Sequence, residues 1–257
     1  NINFYLSLFC FFFVNIFFYR LAEHGTDRSA QILFFVSFIL ICELLNNRKK
    51  YDQIYEVLII IFTLIVSMKA FYLIYSIFLF LILFKFFSFK KIPKAVFKTP
   101  VIYYCISIFL FTILNNIVYS GCLLYPITNT CFENFFWSFG VEKVKGYMVW
   151  YELWSKAGAS PNFRISNVDE YLSGFTWIGN WIDNYFFNKV SDFILGTTLL
   201  LLIVFFTFKN TKITFRNFNK YIFLYIFLLI LFMEWIINHP SLRYGGFVLI
   251  FLIILFP

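Results

Sequence analysis

Three groups of residues in this chain have the types and spacing to act on an anionic substrate. Glu23, Asp27 and Arg28 fall within RLAEHGTDRSAQ, Arg20 to Gln31, where two carboxylates lie beside a guanidinium. Either acid is suited to take a proton from an acceptor hydroxyl, and Asp27 is equally suited to cap a helix. Lys69 interrupts 28 apolar residues, Val57 to Phe84. Its ammonium is either a phosphate partner or a lysine snorkelling to an interface. His239 and Arg243 belong to NHPSLRYGG, where Pro240 ends a helix and Gly245 and Gly246 permit close backbone approach. A guanidinium placed there suits bidentate phosphate binding; a tight interfacial turn is the structural alternative. Nearby, Glu234 is placed either to pair with Arg243 or to line a cavity.

Other arrangements point away from soluble enzymes. No Walker motif, GxGxxG, HExxH or GxSxG occurs, which removes the usual soluble nucleotide and hydrolase readings. Asp169 and Glu170 are adjacent, so on a helix they do not face one another and suit dipole compensation better than paired catalysis. Cys122 and Cys131 bracket eight residues that include the turn formers Pro126 and Asn129. Outside the cytoplasm, thiols so placed oxidise, and a disulfide is expected between them. Zinc is disfavoured, since no CxxC or nearby histidine supplies further ligands. No cofactor is predicted, and nothing in the sequence supports a divalent metal. Cys10, Cys42 and Cys105 lie in apolar runs and read as packing residues.

The elements that must hold these groups are membrane helices. The chain is 61% hydrophobic and 13% charged, with a mean hydropathy of +0.81, far more apolar than a soluble domain. In lipid the backbone must be satisfied internally, and continuous apolar runs, unlike alternating ones, exclude a β-barrel. Forty-one phenylalanines accompany abundant Ile, Asn, Lys and Tyr, as an AT-rich genome would produce. The formal charge of +8 lies between apolar spans, where orientation explains it without nucleic acid. The chain starts at Asn1 without a methionine and stops at Pro257 inside an apolar run, and is expected to be a piece of a longer protein.

The fold expected is all-α, a polytopic transmembrane bundle of about eight spans. Residues 1–118 supply five: Asn3 to Tyr19, Gln31 to Leu45, two short helices meeting near Lys69, and Val101 to Val118. Residues 193–257 supply three, Phe193 to Phe208, Tyr221 to Ile237 and one beginning at Phe247. Splitting the run at Lys69 puts twelve Lys and Arg into three short loops on one face and nine across the loops of the other. By the excess of positive charge in cytoplasmic loops, the segment containing Asp27, Lys69, the long loop 119–192 and NHPSLRYGG are all extracytoplasmic.

That long loop holds five of the six tryptophans. Two short helices lying on the bilayer are predicted in it. Val141 to Lys156 carries Tyr147, Trp150, Tyr151 and Trp154 on one face. The second starts at Ser166, with Asp169 at the capping-box distance, and carries Trp177, Trp181 and Tyr185. Both stripes read as interfacial anchors, with stacking on an acceptor as the lesser reading. The sixth tryptophan, Trp235, falls near the end of its span, where the interface favours it.

GTDRSAQ, the lysine between two short spans, GCLLYPITNTCF with its Trp-rich continuation, and HPSLRYGG together resemble bacterial polytopic glycosyltransferases of the GT-C type, particularly membrane proteins of surface-polysaccharide clusters. The resemblance implies transfer of a sugar from a polyprenyl-phosphate donor to a glycan or lipid acceptor on the outer face of the bacterial inner membrane. Such enzymes keep an acidic catalytic residue in the first outer loop, which here implies Asp27 or Glu23. Lys69, Arg28, His239 and Arg243 would then bind the lipid phosphate. A polysaccharide polymerase or ligase would use similar cations on a lipid diphosphate. A transporter would need a polar path, and few charged residues lie at mid-span.

Overall fold

The computed structural model describes residues 27–46, 51–86, 100–207 and 218–255. Glu23, the expected first span and Cys10 lie outside them. Most of the described chain is helical, and the chain divides into two compact units, Asn1–Val144 and Lys145–Pro257. Four helices are long and apolar enough to cross a membrane: Ser29–Asn46, Val101–Ser120, Ile178–Ile203 and Tyr221–Asn238. Two shorter apolar helices, Gln53–Met68 and Ala70–Phe86, accompany them.

In the first unit, α1 (Asp27–Asn46) packs on α2 (Tyr51–Met68). Phe34, Phe38, Ile41 and Leu45 recur every three or four residues along α1 and are all buried, so they form one inward stripe. Phe34 meets Phe62 edge-on, with ring centroids 6.2 Å apart, a geometry that places a positive ring edge on a negative face. Thr63 and Ser67 turn their hydroxyls back onto the carbonyls of Ile59 and Leu64, so neither presents an unpaired polar group to an apolar surrounding.

The break expected inside the apolar run is at Lys69. Helix α2 stops at Met68, Lys69 adopts an extended backbone (φ −157°, ψ 114°), and a 3-10 turn, Ala70–Ser76, leads into α3 (Ile77–Phe86). Phe78 of α3 returns to pack against Phe34 and Phe38 of α1.

Helix α4 (Val101–Ser120) packs against α2 and ends on Gly121 at φ +79°. Only glycine takes that left-handed conformation without strain. A Cβ there would also lie 2.3 Å from Ser138 Oγ, so glycine is required twice over. Beyond it, residues 121–140 fold back on the helix end. Phe132 N donates to Gly121 O at 2.8 Å and Phe139 N to Ser120 O at 3.1 Å. Cys122 and Cys131 are joined by a disulfide, S–S 2.06 Å.

In the second unit, α5 (Val141–Ser155), most of which lies there, leads through a two-residue hairpin, β1 (Ala159–Ser160) with β2 (Phe163–Arg164), to α6 (Val168–Leu172). The N-cap of α6 is Asn167, not Ser166. Asn167 Oδ1 accepts from Glu170 N, and its amide donates to Glu170 Oε2 at 2.6 Å. Asparagine can answer both the backbone and the glutamate, so it outcompetes the preceding serine.

Next comes one unbroken helical rod: α7 (Ile178–Trp181), a π-helical stretch (Ile182–Val190) and α8 (Ser191–Thr207). The sequence separated a surface helix from a span starting at Phe193; the structure joins them. Exposed Asp183, Lys189 and Asp192 lie in the first part of the rod, and the uninterrupted apolar stretch begins at Phe193, where the sequence reading placed it. Last, α9 (Phe218–Asn238) packs on α10 (Leu242–Leu255). Helix α10 starts at Leu242 instead of Phe247, because Gly245 lets it close against Trp235: a Cβ at Gly245 would sit 2.2 Å from the indole.

Candidate functional site

Trp177, the N-cap of the rod, and Asn180, Trp181, Asn184 and Tyr185 in its first part have the spacing that puts residues on one helical face. Trp177 and Trp181 meet edge-on at 6.1 Å, and Trp181 stacks on Tyr185 at 6.1 Å. This stripe was expected at a bilayer surface. Instead Trp177 and Trp181 are only 2% and 6% exposed, because two segments of the second unit close over them.

One segment is the end of α5. Lys156 is 4% exposed, pairs with Glu152 one turn earlier, and holds its ammonium 5.1 Å from the Trp177 ring centroid. Burying an ammonium is costly unless a counter-ion and an aromatic face replace water, and both are present. Ala157 then takes φ 60°, a strain of about 1 kcal/mol for a residue with a Cβ. Its carbonyl accepts from Asn180 Nδ2 at 2.9 Å. The same amide donates to Tyr171 Oη at 2.7 Å, and Tyr171 donates to Lys156 O at 2.7 Å. Burial raises the Tyr171 phenol above its ordinary 10.0, opposed by the lowering effect of the Asn180 hydrogen bond.

The other segment is the α9–α10 turn. Pro240 cannot donate to a continuing helix, which frees nearby carbonyls and amides for side chains. Trp181 Nε1 donates to Pro240 O at 2.9 Å, Trp235 Nε1 donates to Ser241 O at 2.7 Å, and Tyr185 Oη accepts from Leu242 N at 2.9 Å. Three aromatic side chains therefore fix the three-residue turn, 239–241, and the first residue of α10. Around it stand groups that carry or take up positive charge. The His239 ring lies 5.3 Å from Tyr244, the exposed Arg243 guanidinium 6.0 Å from that ring, and Lys189 Nζ 5.5 Å from Tyr185. Arg243 is the second residue of α10, where the helix dipole adds positive potential. The arrangement suits an anion such as a phosphate.

The residues expected to act together are distributed over the chain as follows. Asp27 opens α1 and Arg28 follows it; their side chains, like all of Glu23, lie outside the described residues. Lys69 is half-buried at the break between α2 and the 3-10 turn. Those positions belong to the first unit and His239 and Arg243 to the second. Glu234 Oε1 accepts from Asn238 Nδ2 at 3.4 Å, four residues along the same helix face. Trp235 is 1% exposed, since Gly245 and the Ser241 carbonyl offer its ring and its N–H a closer fit than an interface would.

Sequence reasoning missed Lys156, Tyr171, Asn180 and Lys189. Two signals were present: Glu152 and Lys156 are an i,i+4 charge pair, and Lys189 follows Tyr185 by four, the spacing at which helix side chains meet.

A family model described as a domain of unknown function (DUF8201) matches residues 1–250, and the chain belongs to that family. No curated protein matches the chain, and no solved structure does.

Proposed function

We propose that this protein is a membrane glycosyltransferase that moves a sugar from a polyprenyl-phosphate donor to a glycan or lipid acceptor at the outer face of the bacterial inner membrane. The observation that carries the reading is the braced α9–α10 turn. It holds Arg243 in the first turn of α10 and His239 just after the end of α9, with Lys189 beside the tyrosine that ties the turn down. A preorganised cationic patch at a helix start is what a departing lipid phosphate requires. Lys69, at a helix break, and Arg28, beside the proposed base, are separate candidate cations in the first unit.

In the proposed reaction the acceptor hydroxyl attacks the anomeric carbon, and the bond from that carbon to the phosphate oxygen breaks. Asp27 or Glu23 takes the hydroxyl proton, and the cations stabilise the negative charge left on the phosphate. The charge asymmetry of the loops supports placing 119–192 outside, and a topology tag after Lys94 would then be reachable only from the cytoplasm.

Defined polyprenyl-phosphate sugars in proteoliposomes test the reaction, with released polyprenyl phosphate as the readout. Lys69→Ala and Arg243→Ala each abolish release while leaving membrane insertion unchanged. Full activity in both variants would overturn the phosphate-clamp assignment.

A further inference from the structure

We propose that residues 132–137 form a lipid-inserted anchor, an aromatic knob that seats the disulfide-closed segment in the bilayer crossed by α4. Phe136 is 96% exposed, and Phe132, Phe135 and Trp137 are 43%, 36% and 40% exposed. These rings do not hang loose. Phe135 stacks on Trp137 at 4.7 Å with planes 5° apart, Phe136 meets Trp137 edge-on at 4.9 Å, and Phe132 packs on Phe135 at 5.6 Å. A preassembled apolar surface of this kind marks a contact face.

The bilayer is the occupant because of where the knob is tied. Trp137 Nε1 donates to Ile117 O at 3.1 Å, in the last turn of α4. That helix is long and apolar enough to cross a membrane, and only 6% of its span is buried inside the protein. Its exposed Phe111, Leu114 and Val118 face outward at 71%, 55% and 70%. The knob therefore continues a surface that already requires lipid, at the helix end where indole rings favour the interface. Phe132 N to Gly121 O and the Cys122–Cys131 bond hold it against the helix end, so it cannot swing into water. Exposed Glu133 and Asn134 are placed to meet the headgroups. The inference rests on α4 crossing a bilayer and not on the proposed sugar transfer.

The test uses the full chain, one copy per nanodisc of phosphatidylcholine and phosphatidylglycerol, with a nitroxide at Phe136→Cys and its position verified by mass spectrometry. Reference labels go at Phe111→Cys, midway along α4, and at Asn129→Cys in the exposed 3-10 turn Thr128–Thr130. The ratio of oxygen to nickel-chelate collisions at 136 should lie well above that at 129 and at or below that at 111. A ratio like that at 129 overturns the anchor in favour of a water-facing loop. Protection from both reagents overturns it in favour of a protein contact. The unmodified chain provides a check free of any new cysteine. Hydroxyl-radical footprinting in the same nanodiscs should oxidise Phe136 more slowly than the exposed Phe163 of the β1–β2 hairpin, although its ring is the more exposed in the protein itself, and oxidation as fast as at Phe163 would overturn the proposal.

Discussion

Residues 121–140 and residues 156–177 both follow a long helix, both are rich in aromatic and polar residues, and they are held by different chemistry. The first segment is stapled covalently by Cys122–Cys131, hydrogen-bonded through its backbone to the end of α4, and leaves Phe136 almost fully exposed. The second contains no disulfide. Its order comes from side chains that each satisfy a buried backbone group, as Tyr171 does for Lys156 O and Asn180 for Ala157 O. It covers Trp177 where the first segment presents Trp137. A disulfide restricts the unfolded chain without needing a packed interior, so a stapled loop is free to turn its aromatics outward. A loop held by side-chain hydrogen bonds must exclude water from them, so Tyr171 and Trp177 turn inward while Phe163 and Phe175, which make none of these bonds, stay exposed.

The largest test of that contrast lies on the buried side. Trp235→Ala removes the indole that fills the space above Gly245 and donates to Ser241 O. It should destabilise the protein by about 3–5 kcal/mol, read as a drop in the unfolding midpoint of the purified chain in nanodiscs. It should also loosen the turn carrying Arg243. A loss below about 1 kcal/mol would mean that the buried aromatics do not hold this region.

The stapled side should respond less. Replacing Cys122 and Cys131 together by serine removes a constraint across a sequence separation of nine, worth about 2.5 kcal/mol by loop entropy. The effect should appear as proteolysis confined to 121–140, with the Arg243 turn unaffected. Coupled loss in both segments would break the comparison.

The smallest effect is a pH dependence. Because burial raises the Tyr171 phenol above 10.0, the unfolded chain ionises there first while the folded chain keeps its proton. The folded state then binds more protons, so this contribution is complete below pH 10 and falls as pH rises through the folded value. Tyr171→Phe should cost about 1 kcal/mol at neutral pH through its lost hydrogen bonds and should flatten the alkaline decline. An unchanged slope above pH 10 would place the tyrosine in water.

Much of the architecture was legible in residue patterns, and the misreadings share one physical origin. The break at Lys69 was readable because splitting the run there, instead of leaving one long helix with a buried lysine, gathers twelve Lys and Arg on one face, the asymmetry that cytoplasmic loops carry. The stripe Trp177, Trp181, Tyr185 was readable as one helical face, but an amphipathic ring is satisfied by a headgroup layer and by a protein carbonyl alike. Period alone cannot distinguish those partners. The same ambiguity displaced Trp235 to an interface and set the start of α10 five residues late, since Gly245 signals close approach without saying to what.

By itself, then, the sequence determined that this chain is mostly helical, that it carries helices long and apolar enough to cross a membrane, and that Lys69 is the cation interrupting the apolar run. Those properties depend on composition and on contacts within about one helical turn, which the order of residues specifies directly. Only the tertiary structure decided that Trp181, Trp235 and Tyr185 meet one proline turn, that Lys156 is covered by Trp177, and that Phe136 is not covered at all. Those outcomes depend on which distant segments close over a face, with Trp181 and Pro240 lying 59 positions apart. No local pattern encodes that choice, because an indole N–H finds the same carbonyl geometry wherever the chain returns.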